Sequence, residues 1–525
     1  MPNHTITCPY CFKEFNDESV GFRMETIKTE QENPLFALKP DQRYISWWEQ
    51  MGCETSEQPD AGFDGNGSVN PWERPVYTLA SGDASRVFAS DTESHPWVDI
   101  TDGIVARAHD RYGEKTVRRV CPYCHNPLPN GYGAYPVKFI ALIGISGAGK
   151  TVYLSQLCRY IEMQMGYFGI TASPLAMTGY RFMEANPVKQ NRPLPGATPP
   201  ESFQQPLFFR FLLTDQRDGS VYRQDFVFYD IAGENLQMDP TTGIIGAAAT
   251  HFGNFIVQSD AIIMLIDPSQ LTANAVLDSK DAATALMVAS TIIQEQKGVD
   301  AQKHIPLALC ISKADDEDKE SMITNAGIIL NSQTLPQMDV SGGTFDVQDY
   351  NKNIMEKVSE FMATGAYSVS ANLNTMLKQT FDCYDYFMIE SIGAPLEKNE
   401  NGIEVVAANP NPKRIIEPLL WILTKLSRSD NDSQPILQPE GWIEEPGDWH
   451  CENPDCPDSA SHRPLRKGVK FCPTCGCTAK GYWRCPSCGE MYFRDVQYCP
   501  NCDIDRFGRK QKKPLIGRLF GKRKK

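Results

Sequence analysis

Three short strings in this chain have the residue types and spacing for nucleotide chemistry. The first, Gly144-Ile-Ser146-Gly147-Ala148-Gly149-Lys150-Thr151, is a G-x-x-x-x-G-K-[ST] pattern between an apolar run and a helical one. Such glycines let backbone N–H groups turn inward around phosphate oxygens, and the adjoining helix N-terminus favours negative charge. Lys150 is then expected on the β/γ phosphates and the Thr151 hydroxyl on Mg²⁺. The second string, Asp230-Ile-Ala-Gly233-Glu234, ends an apolar strand. Asp230 would hold the magnesium through water, and Gly233 would let a backbone N–H approach the γ-phosphate. The third is Ser312-Lys313-Ala-Asp315. Guanine presents two N–H donors on one edge and a carboxylate accepts both, so Asp315 is the expected base reader, with the Lys313 stem over the ring plane.

A mobile loop must also bring a threonine to the metal. Thr198, in the Pro/Gly-rich stretch 191–201, is the first choice, with Thr171 and Thr178 as alternatives; Ser391 is a candidate for the loop beneath the base.

The cysteines supply a second chemistry. Of seventeen, twelve fall in six close pairs, five of them Cys-x-x-Cys. The start, Met1-Pro-Asn-His, lacks the basic-then-apolar layout of a secretory leader, so the pairs are expected to bind metal rather than form disulfides. Cys8-Pro-Tyr-Cys11 and Cys121-Pro-Tyr-Cys124 repeat the same string and would form one zinc ribbon split by a long insertion; two separate half-filled knuckles are the alternative. Residues 449–502 hold an internal repeat, Cys451/Cys456 with Cys472/Cys475, then Cys485/Cys488 with Cys499/Cys502. Each unit offers four thiolates for tetrahedral Zn²⁺ and leaves no open position for catalysis. In the first unit His450, His462 or Cys477 could substitute. Cys53, Cys158, Cys310, Cys383 and Cys477 have no evident partner and are read as packing residues.

These groups need elements to position them. Residues 137–428 alternate apolar runs with helical stretches, as an α/β domain does. Strands are expected at Val137–Ile143, Leu207–Thr214, Val221–Tyr229, Ala261–Ile266, Ile305–Ile311 and Tyr386–Glu390, and helices at Val152–Met163 and Lys413–Ser427. Asp218-Gly219 signals a hairpin, which puts one antiparallel strand in an otherwise parallel sheet. The expected fold is a P-loop NTPase α/β domain with helices on both faces, plus small zinc-ribbon modules. Its divisions are 1–136 (split ribbon, with no sustained periodicity in the insertion), 137–428 (G domain), 429–447 (linker), 448–505 (tandem ribbons) and 506–525 (basic tail).

The order of the three strings, each at a strand end, resembles the translation-factor-like and Ras-like GTPases over about residues 137–428. That resemblance implies GTP/GDP and Mg²⁺ as ligands. Two departures stand out: Ser312 replaces the usual Asn or Thr, and Glu234 occupies the place of the water-orienting Gln. A carboxylate beside the γ-phosphate is repelled by it, so slow intrinsic turnover is expected. Cys8-Pro-Tyr-Cys11-Phe, Gly21-Phe-Arg23, the delayed second knuckle and Tyr229-Asp-Ile-Ala-Gly-Glu234 are further similar to the bacterial double-GTPase proteins. That likeness implies a nucleotide-gated switch acting with protein partners, including a second GTPase.

Composition sets the outer limits. With 41% hydrophobic and 22% charged residues the chain is of folded type, and no apolar run approaches the ~20 residues of a membrane span. Residues 506–525 carry ten Lys/Arg and no acid; taking that +10 from the net −14 leaves −24 on the rest. So acidic a body excludes wholesale coating of nucleic acid, although the tail could meet nucleic acid or anionic lipid. A cytoplasmic protein is expected. A zinc-ribbon scaffold with a structural nucleotide and a P-loop ATPase are the competing functions; Ser312-Lys-Ala-Asp315 disfavours the latter.

Overall fold

The computed structural model describes residues 5–26, 28–51, 71–92, 95–145, 147–168, 170–196, 205–214, 221–231, 236, 253–268, 282–314 and 368–426, with separate residues from 449 to 510. Residues 1–213 and 223–429 form one compact unit, and 214–222 with 430–525 a second.

A seven-stranded sheet organises the first unit, in the order Thr171–Pro174, Leu207–Thr214, Val221–Asp230, Val137–Gly144, Ala261–Ile266, Leu307–Ile311 and Tyr384–Met388. The last five strands in that order run parallel. Phe209 packs on Phe228 and Phe211 on Phe226, a pairing that runs in opposite directions along the two segments, so Leu207–Thr214 is antiparallel to Val221–Asp230. It is antiparallel to Thr171–Pro174 as well, and is therefore the one reversed strand. Thr171–Pro174 was not foreseen; its four residues alternate between exposed and half-buried positions, too short a run to register as a period.

The central strands are buried on both faces, which explains their continuous apolar runs. Alternation sorts their side chains: Phe139, Ala141, Ile143, Val227 and Tyr229 enter one core with helices Ala282–Lys297 and Ser368–Thr380. On the other face Phe387 meets Trp421 of helix Glu417–Lys425, while Tyr153 of helix Lys150–Gln164 donates from Oη to the Ile415 carbonyl. Some element bounds differ from expectation for local reasons. Pro306 delays a strand to Leu307. Lys413 forms a bridge with Glu390, and Arg414 has φ 61°, so the last helix starts only at Glu417.

The insertion between the first two cysteine pairs is more ordered than its lack of period predicts. Short strands Arg118–Val120, Gly21–Arg23 and Val76–Thr78 form one sheet, Val98–Thr101, Ile104–His109 and Lys115–Thr116 another, and Gln42–Gln50 is a helix capped by Asp41. Phe22, Trp47, Trp48 and Phe88 lie in the same continuous core as the main sheet. Elements of two to nine residues are too brief to show periodicity; long-range packing holds them.

In the second unit, Trp449–His450 pairs with Pro464–Leu465, and Tyr482–Arg484 with Met491–Phe493. Each hairpin brackets the first cysteine pair of its repeat. Cys499 is buried and donates its N–H to the Ile504 carbonyl, and Cys502 packs beside them.

Candidate nucleotide site and metal centre

The Val137–Gly144 strand delivers the phosphate-binding string at its carboxyl end, and helix Lys150–Gln164 begins at its last residues. Gly144 has φ 147°, and a Cβ there would lie 2.5 Å from the Leu265 carbonyl oxygen, so the close approach of the neighbouring strand demands glycine. Gly147 (φ 79°) and Gly149 (φ 84°) take left-handed conformations facing open space. The Lys150 ammonium folds over the loop, donating to the carbonyls of Gly144 (2.8 Å) and Ile145 (3.0 Å). It stands where an anion held by this loop would meet it.

Thr151 and Asp230, far apart in sequence, meet here: Thr151 Oγ1 donates to Asp230 Oδ2 at 3.3 Å. A hydroxyl and a carboxylate side by side are hard oxygen donors of the kind that suits Mg²⁺.

The third string ends the Leu307–Ile311 strand two positions along the sheet. The Ser312 hydroxyl lies 2.8 Å from the Ala148 carbonyl and 3.1 Å from that of Ile266, and the residue is 1% exposed. This departure from Asn or Thr therefore still ties the phosphate loop to the third string. Lys313 has φ 53°, and its ammonium pairs with Asp267 Oδ2 at 2.9 Å. Asp267 was missed because a lone Asp after an apolar run carries no signal. Ser391, two residues beyond the Ile389 carbonyl that accepts the Ala314 N–H, is buried, and its hydroxyl has no hydrogen-bond partner among the described residues.

Ser146, Thr198, Gly233, Glu234 and Asp315 lie outside the described residues. Of the alternatives to Thr198, Thr171 sits in the edge strand opposite Leu212, and Thr178 starts helix Thr178–Ala185 with its hydroxyl buried.

Cys8, Cys11, Cys121 and Cys124 converge, all four sulfurs lying within 4.8 Å of one another. Sulfurs at roughly 2.3 Å from a tetrahedral zinc stand about 3.8 Å apart. Cys8–Cys124 and Cys11–Cys121 are each at 3.7 Å, so the cluster fits zinc, and one split ribbon replaces the alternative of two half-filled knuckles. The two knuckles match in detail. Tyr10 and Tyr123 N–H groups each point at the first sulfur (3.4 Å), and Phe12 (φ 55°) and His125 (φ 57°) take the same left-handed place. Burial pushes the Cys8 and Cys124 thiols well above the usual range, while the Cys121 thiol's hydrogen bond, ahead of those from Cys124 and Cys8, holds Cys11 far below it.

The residues just after the two knuckles have different partners. His125 Nδ1 meets Asp41 Oδ1 at 2.8 Å, and Arg23 pairs with Asp41 at 3.0 Å while donating to the His125 carbonyl. Arg23 thus binds the insertion to the second knuckle. Burial pushes the Asp41 carboxyl up, but the His125 hydrogen bond and the nearby cations outweigh it, leaving it below its ordinary value. Phe12 instead packs edge-on against Phe139, Tyr229 and Phe255 of the main sheet's core. Of the remaining candidate ligands, His450, Cys499 and Cys502 are described; Cys451, Cys456, Cys472, Cys475, Cys485, Cys488, His462 and Cys477 lie outside the described residues. Among the unpaired cysteines, Cys158 and Cys310 are buried, and burial raises both thiols, as expected of packing residues.

A mixed α/β sheet with a glycine loop opening a helix at its central strand defines the P-loop NTPase fold. Residues 138–359 match the model of the family described as Double-GTPase 2. A curated relative, the putative ESX-1 scaffolding and assembly protein SaeC of Mycolicibacterium smegmatis, is 27% identical over 157 residues. That match covers 28% of this chain and 38% of SaeC, so the chain spans well under two thirds of the relative. Two solved structures show more distant likeness. An Era variant of Aquifex aeolicus bound to GDP and aluminium fluoride is 12% identical, covering 59% of this chain and 62% of its own, with a TM-score of 0.24. The septin GTPase domain of Chlamydomonas reinhardtii is 13% identical, covering 57% and 95%, also at 0.24. Strand order and the glycine loop, rather than these likenesses, define the fold. No described helix is long and apolar enough to cross a membrane.

Proposed function

We propose that the chain is a GTP-binding molecular switch that hydrolyses GTP slowly with Mg²⁺ and passes its nucleotide state to protein partners. The observation that carries it is the meeting of Thr151 with Asp230 beside the Lys150-capped loop, with Ser312 tying that loop to the third string. In this scheme the loop N–H groups and Lys150 hold the phosphates, Thr151 and Asp230 hold the magnesium, and Asp315 reads the base. Thr198 and Gly233 close on the γ-phosphate, and Glu234 in place of a glutamine keeps turnover low. Zinc closes the split ribbon and the two C-terminal repeats. The scaffolding and assembly role in the name of SaeC supports protein partners. A cytoplasmic setting suits reduced, metal-binding cysteines.

Labelled GTP should bind, and excess GDP but not ATP should displace it; displacement by ATP with equal ease would remove the guanine assignment. Magnesium-dependent phosphate release should be slow in the wild type and absent in Lys150→Ala. Tight binding with no release in either would leave a structural nucleotide on a scaffold.

A further inference from the structure

The Cys8/Cys11 knuckle is joined to the strand end that carries Asp230. Tyr229 Oη donates to the Pro9 carbonyl at 2.7 Å, a buried bond between the middle of the knuckle and the residue before Asp230. Phe12, directly after Cys11, packs on the Tyr229 ring at 5.9 Å, on Phe139 of the phosphate-loop strand at 5.6 Å and on Phe255 at 5.0 Å. Successive strand residues point to opposite faces, so Tyr229 faces the knuckle while Asp230 meets Thr151. Neither aromatic is a phosphate or magnesium ligand in this scheme. Both are placed to fix where the Asp230 carboxylate stands, and the knuckle's own shape depends on the four sulfurs.

We propose that Tyr229 and Phe12 are positioning residues: they clamp the end of the Val221–Asp230 strand to the metal-closed knuckle, so that filling the four-sulfur site strengthens magnesium-dependent nucleotide binding. The inference rests on the role given to Asp230 above. Because Asp230 acts on nucleotide through magnesium, the clamp affects the magnesium step and leaves magnesium-free affinity alone. Linkage makes the effect reciprocal: magnesium nucleotide protects the sulfurs.

The test uses the full zinc-loaded chain and Tyr229→Phe, which keeps the ring and its packing and removes the bond to Pro9. A fluorescent GDP analogue is titrated with and without millimolar magnesium. For one buried hydrogen bond, the tightening caused by magnesium should fall about fivefold in Tyr229→Phe, with the magnesium-free affinity unchanged. A purely structural role would weaken both affinities alike. Iodoacetamide labelling of Cys11 under chelator challenge, read by peptide mass spectrometry, reports this site apart from other cysteines. Magnesium GDP should slow that labelling in the wild type and lose most of that effect in Tyr229→Phe. An unchanged magnesium step in the variant, or labelling indifferent to nucleotide in the wild type, overturns the proposal alone. A wild type that takes up no guanine nucleotide overturns the switch function and this proposal together.

Discussion

Replacing Ser312 by Ala removes a hydroxyl that lies 2.8 Å from the Ala148 carbonyl and 3.1 Å from the Ile266 carbonyl. One hydroxyl proton serves these acceptors, and Ile266 keeps the Ser312 backbone N–H at 2.8 Å, so the loss falls chiefly on the tie to Ala148. A buried neutral hydrogen bond contributes about 1 kcal/mol net, and a poorly satisfied acceptor adds to the loss, giving about 1–2 kcal/mol in all. If the tie holds the phosphate loop and the third string in register, the same energy should appear in nucleotide retention. Release of a fluorescent GDP analogue, followed by stopped flow, should then accelerate about 5–30-fold, since 1.4 kcal/mol is a factor of ten. Urea unfolding without nucleotide should show the matching drop in stability. A variant that loses stability as expected yet releases nucleotide at the wild-type rate would refute the reasoning, because the bond would then serve packing alone.

Cys121→Ser should lower bound zinc by one equivalent per chain, measured by plasma mass spectrometry, with a marked fall in melting temperature, because metal bound at a structural four-cysteine site contributes folding energy. Arg210 pairs with Asp225 at 2.7 and 2.9 Å, and Asp225 is fully buried, so Arg210→Ala should cost about 3–5 kcal/mol in urea unfolding and Arg210→Met with Asp225→Leu should recover most of it. Burial raises the Asp385 carboxyl to about 6, above an unfolded value of about 3.9, so the folded state holds its proton longer and this residue's contribution to stability falls as pH rises from about 4 to about 6. Asp385→Asn should flatten that slope and add roughly 3 kcal/mol at pH 7–8, read from unfolding midpoints across pH.

The main sheet was legible because its strands are long, apolar and buried on both faces. Two strand ranges, Leu207–Thr214 and Ala261–Ile266, match residue for residue. The reversed strand followed from one turn dipeptide. The site was legible where chemistry forces a residue type: glycine beside a neighbouring carbonyl at Gly144, paired cysteines at the metal cluster. Partners set by tertiary packing left no trace. Tyr229 and Arg23 were named as parts of a family likeness; the bond of Tyr229 to Pro9, the place of Arg23 between Asp41 and His125, and Asp267 beside Lys313 emerge only when the chain brings them together. The insertion showed no sustained period for the same reason, since its order comes from a core shared across more than a hundred residues rather than from a repeat.

The sulfur cluster unites positions 110 and 116 residues apart, and every ligand precedes Val137, where the main sheet begins. During synthesis, then, the metal can be captured before any strand of that sheet has left the ribosome. Phe12 would already be presented when Phe139 emerges, giving the nascent sheet an apolar platform to assemble on. Ribosomes arrested just beyond residue 136 plus the length of the exit tunnel should carry chains holding one zinc, and zinc starvation should trap the protein at birth rather than inactivate it after folding.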